Sequence, residues 1–344
     1  MIEGLSATKP LTVASHLVIL MLEAAYGQNP KLSKRAQMIL SKKELIKFIF
    51  IAASLLFMAL YVWRTVRQVG NFPPSPDIDA LMASLLINWL GFVTVILVWK
   101  FLITSYGERI TTGQAYRIYF RSNLGKYLPG KVWQLAGMVF LCDEIGIMPN
   151  KSIPASLYNT GVAVITGLAI FFVTVSIDTL GLTRALVSYT LLVAIIVFLI
   201  VFPDFLTGLM NRILRILGKE RIEEGIGRGI LFTTFVSYAL AWFIFGWGFH
   251  LFLRFLGVSK DLDLLETVGI FSGSVSIGFL AFFSPGGIGI REGVMVFLME
   301  KYYPLTTAIF ISVTARLWIT AVELSGFLST YVFPIGSSTE SQSK

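Results

Sequence analysis

The chain has 344 residues, 55% of them apolar and only 14% charged, with a mean hydropathy of +0.76. A soluble domain carries roughly 25% charged residues, so most of this surface faces something other than water. One cysteine and two histidines exclude a disulfide framework and a multi-cysteine or His-rich metal site, and the net charge of +8 sits in clusters beside apolar spans, which marks membrane orientation rather than nucleic-acid binding.

Residues 1–45 read as a basic, interfacial lead-in. Their apolar stretch at 11–25 carries Glu23 and follows a single lysine, which makes a poor signal peptide and a better surface helix. Six stretches are then predicted to cross about 30 Å of hydrocarbon as helices. They are roughly 48–63, 80–102, 153–175, 185–202, 230–255 and 305–333. Two more regions, 120–141 and 269–299, are apolar but interrupted by proline and glycine. The predicted fold is an all-α polytopic membrane protein with six full spans and two re-entrant broken-helix elements. It occupies 46–335, and a disordered tail covers 336–344.

The loops orient this bundle. The run Lys31, Lys34, Arg35, Lys42, Lys43 and Lys47 places the N-terminus in the cytoplasm, and Arg109, Arg117, Arg121, Lys126 and Lys131 return the chain to that side. The acidic loops around Asp77-Ile-Asp79 and Asp261-Leu-Asp263 go outside. Residues 211–228 are basic and amphipathic and fit a helix on the inner surface. Both termini are then cytoplasmic, in a multi-pass protein of the plasma membrane. Pro129-Gly130 and Pro285-Gly286 are 156 residues apart, and the same shift lays Gly137 over Gly293 and Glu144 over Glu300. The halves 46–180 and 181–335 therefore read as an inverted repeat.

Each break needs a physical reason. Proline removes an amide donor, glycine loosens the backbone, and lipid satisfies neither the freed carbonyls nor the freed amides. Irregular backbone at membrane depth persists only where protein buries it or where it lines a wet cavity. A kinked span is the plain alternative for one Pro-Gly, but two breaks at matching positions favour paired re-entrant elements. Charge in hydrocarbon costs at least about 2.5–3.5 kcal/mol, so such residues face protein or a cavity and take partners. Arg291 and Glu292 follow the second break, and Arg316 and Glu323 lie seven residues apart on one face of the last span. Those four are expected to pair in part within a polar core. A lipid headgroup site is predicted from Lys126, Pro129, Gly130, Lys131, Pro285, Gly286, Gly287, Gly289, Arg291, Glu292, Arg316 and Glu323.

The stretches YLPGKVWQLAG, SIPASLYNTG, SPGGIGIREG and AIFISVTARLWITAVELSG resemble the lysylphosphatidylglycerol synthase transmembrane-region family over about residues 45–335. That family includes the flippase half of the bacterial multiple peptide resistance factor. The resemblance implies a polytopic protein that moves or handles an anionic or aminoacylated lipid. Full-length relatives carry a soluble C-terminal aminoacyltransferase domain. This chain ends at YVFPIGSSTESQSK, so it is expected not to make the aminoacylated lipid by itself. Some relatives are associated with polyprenyl-phosphate sugar assembly.

Two functions follow as expectations. One is a lipid flippase or scramblase acting on an anionic, aminoacylated or polyprenyl-phosphate lipid. It needs no cofactor, and without a Walker motif it uses no ATP of its own. The other is a membrane glycosyltransferase with a polyprenyl-phosphate donor, or an accessory subunit of one, using the Asp77/Asp79 and Asp261/Asp263 pairs. The expected partners are a membrane phospholipid or polyprenyl-phosphate lipid, envelope-assembly enzymes and a second copy of the chain, with no nucleic acid.

Overall fold

The computed structural model describes residues 77–127, 132–175, 181–223, 225–258, 262–281, 284 and 287–332. The predicted first span at 48–63, the basic lead-in and the C-terminal tail lie outside the described residues. Among the described residues the protein is all-helical. The elements are α1 (Ile78–Ser105), α2 (Thr112–Asn123), a 3-10 turn (Leu124–Tyr127), α3 (Val132–Asp143), α4 (Pro149–Thr174), α5 (Leu182–Val201), α6 (Pro203–Ile216), α7 (Arg228–Phe255), α8 (Leu264–Leu280), α9 (Ile290–Met299) and α10 (Leu305–Val332).

Helices α1, α4, α7 and α10 are each long and apolar enough to cross a bilayer, and α5 and α6 form a pair bent by 82°. Four of the six predicted spans are thus single helices, and the span predicted at 185–202 is α5, the first arm of the bent pair. The chain is a multi-pass membrane protein. Both regions predicted as broken are split: α3 follows α2 and the 3-10 turn, and α9 follows α8.

Local chemistry sets the helix starts. Asp77 caps α1 by accepting from the Ala80 amide at 3.0 Å. Asp263 and Glu266 form a reciprocal capping box at α8. Pro149 and Pro203 open α4 and α6, where their missing amides cost nothing. The surface helix predicted at 211–228 instead spans Pro203–Ile216. Pro203 starts it early, and the Asn211 amide takes both backbone groups of Ile222, which folds the rest of that segment back as a loop.

Small residues bring the long helices together. In the antiparallel α1–α7 pair, Gly248 lies against the Ser84 carbonyl, where a Cβ would stand at 3.3 Å, and Arg254 meets Asp77 at 2.9 Å. Antiparallel α4 and α8 meet where Gly273 receives the Phe171 ring and Gly269 faces Thr174. In α10 and α2, Gly326 receives the Phe120 ring and Tyr116 Oη lies 2.5 Å from Ser329 Oγ. Two parallel contacts complete the bundle. Tyr238 and Trp242 of α7 donate to Asn159 Oδ1 and the Ala163 carbonyl of α4, and Trp318 of α10 donates to Ser84 of α1. Phe245, Phe249, Phe252, Phe271 and Trp318 pack the centre ring against ring.

Side-chain contacts tie together the outer ends of each broken region. Lys151, beyond the end of α3, pairs with Glu108 ahead of α2 at 2.7 Å. Tyr302, just after α9, donates to Glu266 in the first turn of α8 at 2.6 Å.

The tightest backbone approach is at Gly246 of α7, where a Cβ would stand 2.5 Å from the Val268 Cα. Backbone does not move aside as a side-chain tip does. Gly246→Ala is therefore expected to cost about 1–3 kcal/mol, read as a lower melting temperature in detergent. Gly229→Ala, with nothing within 4 Å, should leave it unchanged.

Candidate lipid headgroup site

The site is built where the two breaks approach α10. The 3-10 turn after α2 presses on α3 so closely that a Cβ on Gly125 would sit 2.8 Å from the Gln134 amide nitrogen. That contact fixes Lys126, the next residue. Its ammonium forms an ion pair with Glu323 of α10, whose side chain is 2% exposed. Tyr119 of α2 lies within electrostatic reach of Glu323, and Arg291 and Arg316 lie within reach of Lys126.

At the second break, Gly287 and Gly289 take φ of +71° and +85°, a region that residues with a Cβ enter only under strain. Gly287 also lies over the Gly278 carbonyl, 2.7 Å from where a Cβ would stand. These turns start α9, and Glu292 then acts at both ends of its carboxylate. One oxygen accepts the Gly289 amide at 2.6 Å, and the other faces Arg316 of α10 at 3.5 Å. The Glu292 carbonyl accepts from Ser312 of α10 at 3.1 Å. Arg291 is 8% exposed and lies over the Phe271 ring at 5.3 Å. Gly278 makes room for it: a Cβ there would stand 2.7 Å from the Arg291 Cβ.

Of the predicted residues, Lys126, Arg291, Glu292, Arg316 and Glu323 come together, with Gly287 and Gly289 shaping the turn beside them. The expected partial pairing is present, as Arg316 with Glu292, while Glu323 takes Lys126 from 197 residues away. Pro129, Gly130, Lys131, Pro285 and Gly286 lie outside the described residues. Sequence reasoning missed Phe271, Gly278, Ser312 and Tyr119. The glycine in α8 was the one local signal, since a small residue often marks a close approach.

One residue of each acidic pair considered for a glycosyltransferase caps a helix. Asp77 and Asp263 are the N-caps of α1 and α8, and Asp261 lies outside the described residues. The Ala80 amide, and behind it Arg254, hold the Asp77 carboxyl below its ordinary range. Among the described residues no group of three or more His, Cys, Asp or Glu side chains is placed to hold a metal ion.

The family model for the lysylphosphatidylglycerol synthase TM region matches residues 50–324. The chain belongs to that family. The match spans every element from α1 to α9, both breaks, and α10 as far as Glu323 and its neighbour. A comparison with curated proteins finds no match. Membership of the lysylphosphatidylglycerol synthase TM-region family makes this a lipid-related membrane protein, and its polar cluster lies within the matched segment.

Proposed function

We propose that the protein is a lipid flippase or scramblase that passes an anionic headgroup through the cluster formed by Lys126, Arg291, Glu292, Arg316 and Glu323. The observation that carries this reading is the charge pattern at the breaks. These five residues sum to a net positive charge, and one face of α10 holds both breaks, through Glu323 to Lys126 and through Arg316 to Glu292. A net positive cluster suits a phosphate. A phosphate oxygen and a carboxylate oxygen are both charged acceptors, so an arriving headgroup can take the carboxylate's place at Lys126 or Arg316. The acyl chains would stay in the bilayer while the headgroup crosses. Across the membrane potential an anionic lipid is driven by about 2.3 kcal/mol per charge per 100 mV.

We further read the two halves as an inverted repeat, in keeping with this function. Shifted by 156, α2 falls on 268–279 within α8, α3 on 288–299 over α9, and α4 on 305–330 over α10. The packing partners follow the same exchange. Contacts of α2 with α3, α3 with α4, and α4 with α8 are matched by α8 with α9, α9 with α10, and α10 with α2. The α1–α7 pair maps onto itself. Each broken region also has its two outer ends tied together, at Glu108–Lys151 and at Glu266–Tyr302, which favours hairpins that enter and leave on one side. On this reading the first hairpin enters from the basic, cytoplasmic face of the plasma membrane and the second from the acidic, outer face.

Reconstitution tests the function. Vesicles containing the protein should exchange a labelled anionic phospholipid or polyprenyl phosphate between leaflets faster than empty vesicles, and Arg291→Ala should return the rate to the empty-vesicle value. The proposal fails if the wild-type protein accelerates neither lipid, or if Arg291→Ala exchanges as fast as wild type.

A further inference from the structure

Helix α6 carries two apolar faces, and only one of them is used inside the protein. Met210 and Leu214 are buried, with Leu206 and Ile213 packed beside them on the core. On the other side Phe205, Leu209 and Ile216 are exposed by 56%, 43% and 78%. At 100° per residue these three fall within about 40° of arc, and Arg212 stands about 20° beyond Phe205. Arg215 follows farther round the same flank. Both arginines are exposed, as is Lys219 just past the helix end. Asp204 lies in the first turn, and Glu220 and Glu223 lie on the returning loop beyond the helix.

The bend at Phe202–Pro203 decides what this stripe meets. Along α5, Leu186, Leu191, Ile195 and Phe198 are exposed, so hydrocarbon covers that arm. Turned by 82° from it, α6 runs close to the membrane plane. The chain then enters α7 at Arg228, so α6 lies level with the start of that span. A helix so placed sinks its apolar stripe to the acyl boundary while arginines on its flank reach up to phosphates.

We infer that α6 is a docking surface for anionic phospholipid in the leaflet at the α7 N-terminus, with Phe205, Leu209 and Ile216 in the acyl layer and Arg212, Arg215 and Lys219 on the headgroups. Each cation at such a surface favours an anionic over a neutral lipid by roughly five-fold. The surface would concentrate anionic lipid beside the bundle whether or not the central cluster transports it. It stands independently of the flippase reading.

The test uses the full chain with Cys142→Ala and Leu209→Cys labelled with a fluorophore. The labelled protein is reconstituted in phosphatidylcholine mixed equally with phosphatidylglycerol. Nitroxide-bearing phosphatidylglycerol should quench the label several-fold more strongly than nitroxide-bearing phosphatidylcholine. Arg212→Gln, Arg215→Gln and Lys219→Gln together should bring the two quenchers to near equality without changing the melting temperature, since all three side chains are exposed. Equal quenching of the unaltered helix by the two lipids would overturn the headgroup assignment. Absence of quenching by either, together with cross-linking between unlabelled copies of the Leu209→Cys chain through the introduced thiol, would make the stripe a contact between copies instead.

Discussion

Glu323→Leu is expected to lower the stability of the detergent-solubilised protein by about 3–5 kcal/mol, the usual cost of removing one partner from a buried ion pair. The loss comes less from the missing attraction than from what is left behind. Lys126 would face Arg316 and Arg291 with its own carboxylate gone, in a site already short of negative charge. Lys126→Met combined with Glu323→Leu should recover most of the loss, because an apolar pair of similar volume asks for no solvation. A double variant no more stable than Glu323→Leu alone would mean that Glu323 is held by something other than Lys126. Glu323→Gln separates stability from transport. It keeps the shape and removes the negative charge that competes with an incoming phosphate for Lys126, so the proposed site predicts faster exchange than wild type at some cost in stability. Lys126→Gln should slow exchange instead.

Gly278→Ala is expected to reduce lipid exchange by about ten-fold or more, in line with the penalty for misplacing a functional group by an ångström. The added methyl would stand 2.7 Å from the Arg291 Cβ and 3.2 Å from its Cα. Neither atom is the flexible end of a side chain, so α9 itself has to shift and carry the guanidinium off the Phe271 ring. The accompanying loss of stability should be about 1–3 kcal/mol. Gly293→Ala provides the comparison on the same helix. Nothing lies within 4 Å of the added carbon, and alanine suits a helix interior better than glycine by about 1 kcal/mol, so exchange should persist and stability hold or rise. Equal loss of exchange in both variants would show that α9 tolerates no change anywhere, and that the Arg291 position is not the cause.

Much of this architecture was legible because it rests on local signals. Runs of apolar residues marked α1, α4, α7 and α10, and Pro-Gly steps at Pro129 and Pro285 marked the two interruptions. Arg316 and Glu323 were legible as one face of a helix, since seven residues make two turns. Glu292 stood among the charges expected to pair with them, and does pair with Arg316, but Lys126 as the partner of Glu323 was not legible. Lys126 reaches Glu323 across 197 residues, and no spacing rule connects a turn in one half to the last helix of the other. Phe271 under Arg291 was hidden for the same reason, in a chain where aromatic residues are everywhere. The extent of α6 was misread because the basic charges continue past its end. Hydrogen bonds from Asn211 to Ile222, and not composition, turn the chain back.

Trp318 is buried on α10 between Arg316 and Glu323, hydrogen-bonded to Ser84 and stacked on Phe252 at 5.2 Å. Held there, α10 has the form of a lever with a fixed pivot and an ionic contact on each arm. A tilt about the pivot carries the two arms in opposite senses, so loosening Lys126 from Glu323 and loosening Glu292 from Arg316 become opposed displacements of a single rigid body. The ionic contacts at the two breaks would then be linked by the geometry of α10 alone, with no signal needing to travel between them.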